Sequence, residues 1–86
     1  MDIINIIDVR TPEEFYNGHA EGAVNIPLNE LPNHLDHLKS LKGHLILCCA
    51  SGMRSGSACQ YLFENGITDI SNGGPWQNVQ NSLINQ

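Results

Sequence analysis

The apolar residues of this chain fall into short runs that are separated by polar or glycine-containing segments. These runs predict buried strands over residues 3–7, 23–26 and 45–48, and the continuous apolar character of the third is typical of a central parallel strand. A fourth, short strand is predicted over residues 67–70, and the Asn-Gly-Gly-Pro segment at 72–75 predicts a turn after it.

Helices are predicted in the intervals between these strands. Thr11 and Glu14 have the spacing of a capping box, and Pro12 suits the first helical position, so a short helix is expected that ends by Gly18. The spacing of three leucines predicts a second helix over residues 30–40.

Two further helices are predicted, over residues 55–65 and 76–84. Strands that alternate with helices indicate a single α/β domain over residues 1–86, in which helices flank a central, mostly parallel sheet of about four strands. Functional sites in such sheets form at the carboxyl ends of the strands, and the segment after Cys48 is one of these places.

Composition and net charge exclude some classes of binding partner. The chain has 86 residues, 41% of them hydrophobic, which suits one globular domain rather than a disordered chain. Nine acidic and four basic residues give a net charge of −5, which argues against binding to nucleic acid or to an anionic membrane surface. No apolar stretch approaches the roughly 20 residues of a membrane span.

The three cysteines, at positions 48, 49 and 59, are an odd number in one short region, which is unlike a disulfide framework. A reducing compartment is therefore expected. The first residues, from Met1 to Asn5, lack the features of a signal peptide. The sequence predicts a cytoplasmic protein, with a periplasmic location as the alternative if a signal peptide had been removed.

The candidate chemistry lies where the third strand leads through a polar loop into a helix. Backbone N–H groups of the loop and of the helix N-terminus would form an anion nest, and Gly52 permits the tight curl that this needs. Such a nest favours a thiolate, so Cys49 is a candidate nucleophile. Arg54 could bind an anionic substrate through two hydrogen bonds, although an ordinary surface charge explains it equally well.

Other polar and sulfur-containing residues have simpler interpretations. Cys48 and Cys59 are predicted to be inert core residues, because both have apolar neighbours. Asp8 and Arg10 end the first strand and are expected to form an internal ion pair, and Trp76 is expected to anchor the core or its rim. No metal site is expected, because zinc-ligand spacing is absent and solvated surface positions are the default for His19, His34, His37 and His44.

Three parts of the chain resemble the signatures of the rhodanese family. Residues 7–15 and 18–28, from Ile-Asp-Val-Arg-Thr-Pro to Asn-Ile-Pro-Leu, are similar to its first signature. Residues 49–55, Cys-Ala-Ser-Gly-Met-Arg-Ser, resemble its active-site loop, and Gly73-Gly74 resembles its closing double glycine. The resemblance extends from about residue 6 to residue 76 and implies a rhodanese-like three-layer fold.

The resemblance also implies an activity. Cys49 would accept a sulfur atom from thiosulfate or a related small anionic donor, hold it as a persulfide and pass it to cyanide or to a thiol, including a thiol of an acceptor protein. No cofactor is implied. Arg54 would orient the substrate, Asp8 and Arg10 would support the site, and the remaining substrate-binding loop residues would be Ala50, Ser51, Gly52, Met53 and Ser55.

The chain departs from the family pattern in three respects. It lacks the strand and helix that usually precede the Asp-Val-Arg segment, so it is similar to the shortest, phage-shock type members, and one edge of its sheet is expected to be exposed. Trp76 lies closer to the double glycine than the usual tryptophan. A second cysteine, Cys48, directly precedes the nucleophile, so a disulfide or a sulfur relay is an alternative role for it.

Two other functions remain open at this point. A phosphatase of the same architecture would have five residues between its cysteine and its arginine, whereas four separate Cys49 from Arg54. A non-catalytic binding module or a persulfide carrier is the second alternative, although inactive rhodanese domains generally lack the cysteine.

Overall fold

The computed structural model of the chain describes residues 3–84, so residues 1, 2, 85 and 86 of the predicted domain lie outside the described residues. Within residues 3–84, nine elements follow one another: β1 Ile4–Asp8, α1 Pro12–Tyr16, β2 Val24–Asn25, a 3-10 helix Leu28–His34, α2 Leu35–Ser40, β3 His44–Cys49, α3 Met53–Glu64, β4 Ile70–Pro75 and α4 Trp76–Ile84. The strands form one sheet in the order β2-β1-β3-β4, and every neighbouring pair is parallel. The predicted α/β architecture is confirmed.

The capping residues that the sequence predicts for α1 are present in the structure. Thr11 caps α1, because its hydroxyl accepts a hydrogen bond from the Glu14 amide at 3.3 Å while the Glu14 carboxylate accepts one from the Thr11 amide at 3.1 Å. Pro12 stands in the first turn and Asn17 ends the helix. Strand β1 is buried only in its second half, since the Ile4 side chain is exposed.

The predicted helix over residues 30–40 is two elements rather than one. A 3-10 helix over Leu28–His34 precedes α2, and Pro32 lies inside it. Proline has no N–H to donate and its ring crowds the preceding turn, which disfavours a continuous α-helix here. The leucine spacing still predicts the buried face, because Leu31 and Leu38 have almost no exposed surface.

The fourth strand lies further along the chain than the prediction over 67–70, and the turn predicted after it is wrong. Strand β4 spans Ile70–Pro75 and includes both glycines of the double-glycine segment. A Cβ atom on Gly73 would come within 2.6 Å of the Val79 side chain and 2.7 Å of the Ile46 side chain. This glycine therefore permits the close approach of α4 to the sheet rather than a reversal of the chain.

Apolar clusters cover both faces of the sheet. The larger one lies between the sheet and helices α2 and α3. Its buried residues are Ile7, Val9, Ile26, Leu31, Leu38, Leu45, Leu47, Cys49, Ala58, Leu62 and Ile67. The smaller one packs against α4 and contains Ile6, Ala20, Cys48 and Val79. Because successive residues of a strand point to opposite faces, the two adjacent cysteines belong to different clusters. No helix within residues 3–84 is long and apolar enough to cross a membrane.

Candidate active site

The candidate site lies at the carboxyl end of β3, where the chain turns into α3. Cys49 is the last residue of the strand, and Gly52 caps the helix with a left-handed φ of 97°. Helix α3 begins at Met53, so the prediction that it starts at residue 55 is wrong by two residues. Since Gly52 adopts this conformation without steric cost, the loop is shorter than expected and Arg54 stands in the first helical turn.

The Cys49 sulfur is surrounded by hydrogen-bond donors from this short loop. The Gly52 amide donates to Sγ at 3.0 Å, and the Ser55 amide donates at 3.4 Å. The Ser55 hydroxyl lies 3.4 Å from the same sulfur. The sulfur therefore sits in the anion nest that the sequence predicts.

These donors decide the ionisation of the thiol. Burial of Cys49 raises its pKa, but hydrogen bonds from the Ser55 hydroxyl and from the amides of Ser55, Gly52 and Ser51 outweigh burial and lower the pKa from 9.0 to about 7. Cys49 has no exposed surface, although it lies at shallow depth beneath the loop. A large fraction of the thiol is thus ionised at neutral pH, as a nucleophile requires.

Asn72 of β4 joins the loop to the neighbouring strand. Its side-chain oxygen accepts a hydrogen bond from the Gly74 amide at 2.9 Å, and it lies 2.6 Å from the Ser55 hydroxyl, whose one proton can be donated either to this oxygen or to the Cys49 sulfur. Its side-chain nitrogen donates to the Gly52 carbonyl at 3.0 Å. The sequence prediction missed this residue because it placed residues 72–75 in a turn. A strand assigned there would have brought Asn72 to the carboxyl edge of the sheet, beside Cys49.

The other two cysteines have no such donors. Burial and, after it, the negative charge of the Asp8 carboxylate together raise the pKa of Cys48 to about 12. Burial also raises the pKa of Cys59, which lies in α3. Both are free thiols that are protonated at neutral pH, in agreement with their interpretation as inert residues.

Asp8 and Arg10 form the expected ion pair, with 2.7 Å between Arg10 Nη2 and Asp8 Oδ2. Both residues are buried, and Arg10 Nη2 also donates to the Gly18 carbonyl at 2.7 Å. The hydrogen bond to Asp8 raises the pKa of Arg10, so the guanidinium stays charged. Its charge lies 5.2 Å from the centre of the Trp76 ring, which packs at the rim of the smaller core. The pair fastens the end of β1 to the loop after α1.

Arg54 is already bonded to a carboxylate. Its Nη1 donates to Glu14 Oε1 at 2.7 Å and its Nη2 donates to Glu14 Oε2 at 2.9 Å. The guanidinium, together with the Thr11 amide, holds the pKa of Glu14 down at about 2. The sequence places Arg54 in the loop that follows Cys49, but it does not show that the Glu14 carboxylate binds the Arg54 guanidinium.

The remaining loop residues are exposed to different degrees. Ala50, Ser51 and Met53 lie at the surface, whereas Ser55 is buried. The Ser51 hydroxyl accepts a hydrogen bond from the Met53 amide at 3.4 Å.

Among the histidines, His44 differs from the expectation of a freely solvated residue. Its Nδ1 lies 2.6 Å from Asp69 Oδ1 and its Nε2 lies 2.8 Å from Ser71 Oγ. This chain of hydrogen bonds joins the beginnings of β3 and β4, at the opposite edge of the sheet from Cys49. Within residues 3–84, no group of three or more His, Cys, Asp or Glu residues is placed to hold a metal ion.

Comparison with known proteins gives consistent results. Residues 1–74 match the family model described as "Rhodanese-like domain". The "Uncharacterized protein YqhL" of Bacillus subtilis is 45% identical over 67 residues, which are 78% of this chain and 52% of that protein, so the chain spans about half the length of this relative. "Thiosulfate sulfurtransferase PspE" of Escherichia coli is 35% identical over 74 residues, which are 85% of this chain and 71% of that protein.

A solved structure described as "rhodanese with anions from E. coli" superposes with a TM-score of 0.79 at 32% identity, and the match covers 88% of this chain and 91% of that one. The family match and the likeness to this solved structure therefore agree. The chain belongs to the rhodanese family.

Proposed function

We propose that the protein is a thiosulfate sulfurtransferase that carries a sulfane sulfur atom on Cys49 as a persulfide. The observation that supports this proposal is the set of donors on the Cys49 sulfur, from Gly52 and Ser55, which lowers the pKa of the thiol to about 7. A thiolate at neutral pH is what sulfur transfer needs first.

In the first half-reaction, the Cys49 thiolate attacks the outer sulfur of thiosulfate. A new S–S bond forms between Cys49 Sγ and that sulfur, while the S–S bond of thiosulfate breaks and sulfite leaves with its electron pair. The product is a persulfide anion. The amides of Gly52 and Ser55 that hold the thiolate stay within reach of this negative charge.

In the second half-reaction, a nucleophile attacks the terminal sulfur of the persulfide. Cyanide gives thiocyanate, and a thiolate gives a new persulfide on the acceptor. The bond to Cys49 Sγ breaks in either case, and its electron pair returns to the thiolate. This scheme is ping-pong, and it uses no cofactor because Cys49 is both nucleophile and carrier.

Access to Cys49 requires the loop to move. Cys49 has no exposed surface, and the amides of Gly52 and Ser55 are hydrogen-bonded to its sulfur. A donor the size of thiosulfate therefore reaches the sulfur only when part of the segment from residue 50 to residue 53 is displaced.

The partners that fit this proposal are a small anionic sulfur donor and a thiol acceptor, which includes the thiol of a protein. The three cysteines of the chain are free, which is consistent with a reducing compartment such as the cytoplasm.

Intact-protein mass spectrometry tests the proposal. Wild type, incubated with thiosulfate, should gain one sulfur atom, and cyanide should then remove it with formation of thiocyanate. The Cys49→Ala variant should gain none. Wild-type protein that is folded and reduced but gains no sulfur would contradict the proposal.

A persulfide carrier is the second candidate. The observation in its favour is the Glu14–Arg54 ion pair, because it occupies the cation that would bind an anionic donor. A carrier would take sulfur from an organic persulfide and would fail to form the adduct with thiosulfate.

A further inference from the structure

We infer that Glu14 is a specificity-determining residue, an internal carboxylate that competes with anionic sulfur donors for Arg54 and so favours uncharged donors. The inference rests on the proposed function, because it concerns the donor that reaches Cys49. It assigns to Glu14 a role beyond the capping of α1.

The geometry of the pair is that of a bound carboxylate ligand. The two terminal nitrogens of Arg54 each donate to a different oxygen of Glu14, at 2.7 Å and 2.9 Å. This is the fork with which a guanidinium would receive the oxygens of an anionic donor. An incoming anion must displace Glu14 or share the guanidinium with its negative charge.

The Glu14 carboxylate is positioned for this contact by the N-cap residue of its own helix. Its Oε1 accepts hydrogen bonds from the Thr11 amide at 3.1 Å and from the Thr11 hydroxyl at 3.2 Å. Arg54 is fixed at the other side by its place in the first turn of α3. Both partners are therefore positioned by short-range structure, which reduces the entropy cost of the contact.

The pair is also open enough to be displaced. The side chains of Arg54 and Glu14 are 37% and 35% exposed, so solvent and solutes reach both. Exposed ion pairs contribute little free energy, so the competition should change affinity by only about two- to fivefold. Glu14 is a competitor of moderate strength, and it does not close the site.

Two electrostatic features connect this pair to the nucleophile. The pKa of Arg54 is raised by Glu14 first, and also by the negative charge of Cys49, which places the guanidinium within electrostatic range of the thiolate. Because the pKa of Glu14 is about 2, its carboxylate is charged at every pH at which the thiolate is present. An uncharged donor does not compete for Arg54 and is unaffected by Glu14.

The test compares Glu14→Gln with Glu13→Gln. Glutamine at position 14 keeps the side-chain oxygen that caps α1 and removes the charge, since glutamine serves in a capping box as glutamate does. Glu13 is the neighbouring exposed glutamate of the same helix turn, so its variant removes an equal charge at nearly the same place.

The readout is the rate of Cys49 alkylation by anionic iodoacetate divided by the rate with neutral iodoacetamide. Both reagents attack the same thiolate, so any change in the pKa of Cys49 cancels in the ratio. Fragment-ion sequencing of the peptide over residues 43–54 separates alkylation of Cys49 from alkylation of its neighbour Cys48. At low ionic strength, Glu14→Gln should raise this ratio by about two- to fivefold over wild type, and added salt should shrink the increase.

Two results would overturn the inference. One is an equal ratio for Glu14→Gln and Glu13→Gln, which would leave only a general effect of net charge. The other is a raised ratio in Glu14→Gln/Arg54→Ala relative to Arg54→Ala alone, because the effect would then not act through the guanidinium.

Sulfur transfer supplies the second readout. In Glu14→Gln, the KM for thiosulfate should fall by about the same two- to fivefold, with a much smaller change in kcat. If thiosulfate gives no adduct in any variant but the alkylation ratio responds, the proposed function fails and the competition stands. If transfer occurs but neither KM nor the ratio changes in Glu14→Gln, only this inference fails.

Discussion

Cys48 and Cys49 are neighbours in the sequence, and neither has any exposed surface, but they face opposite sides of the sheet. The pKa of Cys48 is about 12, whereas that of Cys49 is about 7. Cys48 points into an apolar cluster beside the Asp8 carboxylate, and Cys49 points toward the amides of Gly52 and Ser55. The two thiols are therefore equally shielded from solvent, but the pKa of Cys48 is raised and that of Cys49 is lowered.

The difference shows that directed N–H and O–H groups, rather than exposure, decide which thiol is reactive. Desolvation acts against the charged form of both cysteines. Only Cys49 stands where a strand ends and a helix begins, so only it meets backbone donors that have no partner within the helix. The carboxylate beside Cys48 belongs to the buried Asp8–Arg10 pair.

Removal of each thiol gives the largest contrast. Cys49→Ala should lower sulfur transfer to cyanide by at least about a thousandfold, because the nucleophile is lost. Cys48→Ala should leave the transfer rate close to that of wild type, because its protonated sulfur takes no part. Thiocyanate formation, measured on variants whose circular dichroism matches wild type, checks this. Complete loss in Cys48→Ala would revive a sulfur relay between the two cysteines.

The second contrast concerns stability on the Cys48 side. Arg10→Ala should destabilise the fold by about 3–5 kcal/mol, because it leaves the Asp8 carboxylate buried without its partner. Arg54→Ala is the matched control, since its ion pair is partly exposed, and its midpoint of denaturation should stay near that of wild type. Urea denaturation gives both values. Equal midpoints for the two variants would contradict the expectation that the buried ion pair matters more for stability than the partly exposed one.

The pH dependence of stability should differ between the two thiols. The pKa of Cys49 in the folded protein, about 7, lies below its ordinary 9.0, so its ionisation stabilises the fold above pH 9 and this contribution is lost as pH falls through 7. Wild type should therefore gain about 2 kcal/mol over Cys49→Ala between pH 6 and pH 9.

Cys48 should show the opposite sign. Its raised pKa makes a contribution that is present below pH 9 and is lost as pH rises toward 12. Chemical denaturation of wild type and of both alanine variants across this pH range measures the two effects. The same pH trend for wild type and Cys49→Ala up to pH 9 would show that folding does not lower the pKa of the Cys49 thiol.

The smallest effect tests a single donor. Ser55→Ala removes the hydroxyl beside Cys49 Sγ and should raise the pKa of Cys49 by roughly half a unit to one unit. The pH midpoint of alkylation by iodoacetamide, which we expect at about 7 in wild type, measures the shift. Ser57→Ala, an exposed position on the same helix, should not move it. An unchanged midpoint in Ser55→Ala would leave the backbone amides as the whole cause.

Local signals made most of this fold predictable. The capping box at Thr11, the apolar run that ends at Cys48 and the glycine at position 52 act over a few residues, so the sequence displays them directly. The candidate nucleophile follows from the same signals, because a cysteine between a strand and a helix is visible without a structure.

The fourth strand could not be placed in this way. Residues 67–70 resemble a short strand because an isoleucine stands at each end, but Ile67 packs into the core from a loop after α3, where its amide donates to the Leu62 carbonyl. The sequence places Gly73 in a turn, whereas the structure explains this glycine by the close approach of Val79 and Ile46. Both features depend on tertiary packing, which local propensity does not include.

The partner of Arg54 was hidden for a related reason. Glu14 lies 40 positions earlier in the chain, and its sequence context is fully explained by helix capping. A charge pattern shows which residues are ionised but not which distant residue faces them.

The double duty of Glu14 restricts how the site can change in evolution. Helix α1 is only five residues long, so it depends on its capping box, and most replacements at position 14 would cost that cap as well as the contact to Arg54. Glutamine alone keeps the cap and removes the charge, and a single base change in a glutamate codon produces it. Variants that evolve toward the use of anionic donors should therefore carry glutamine at position 14 rather than a smaller side chain.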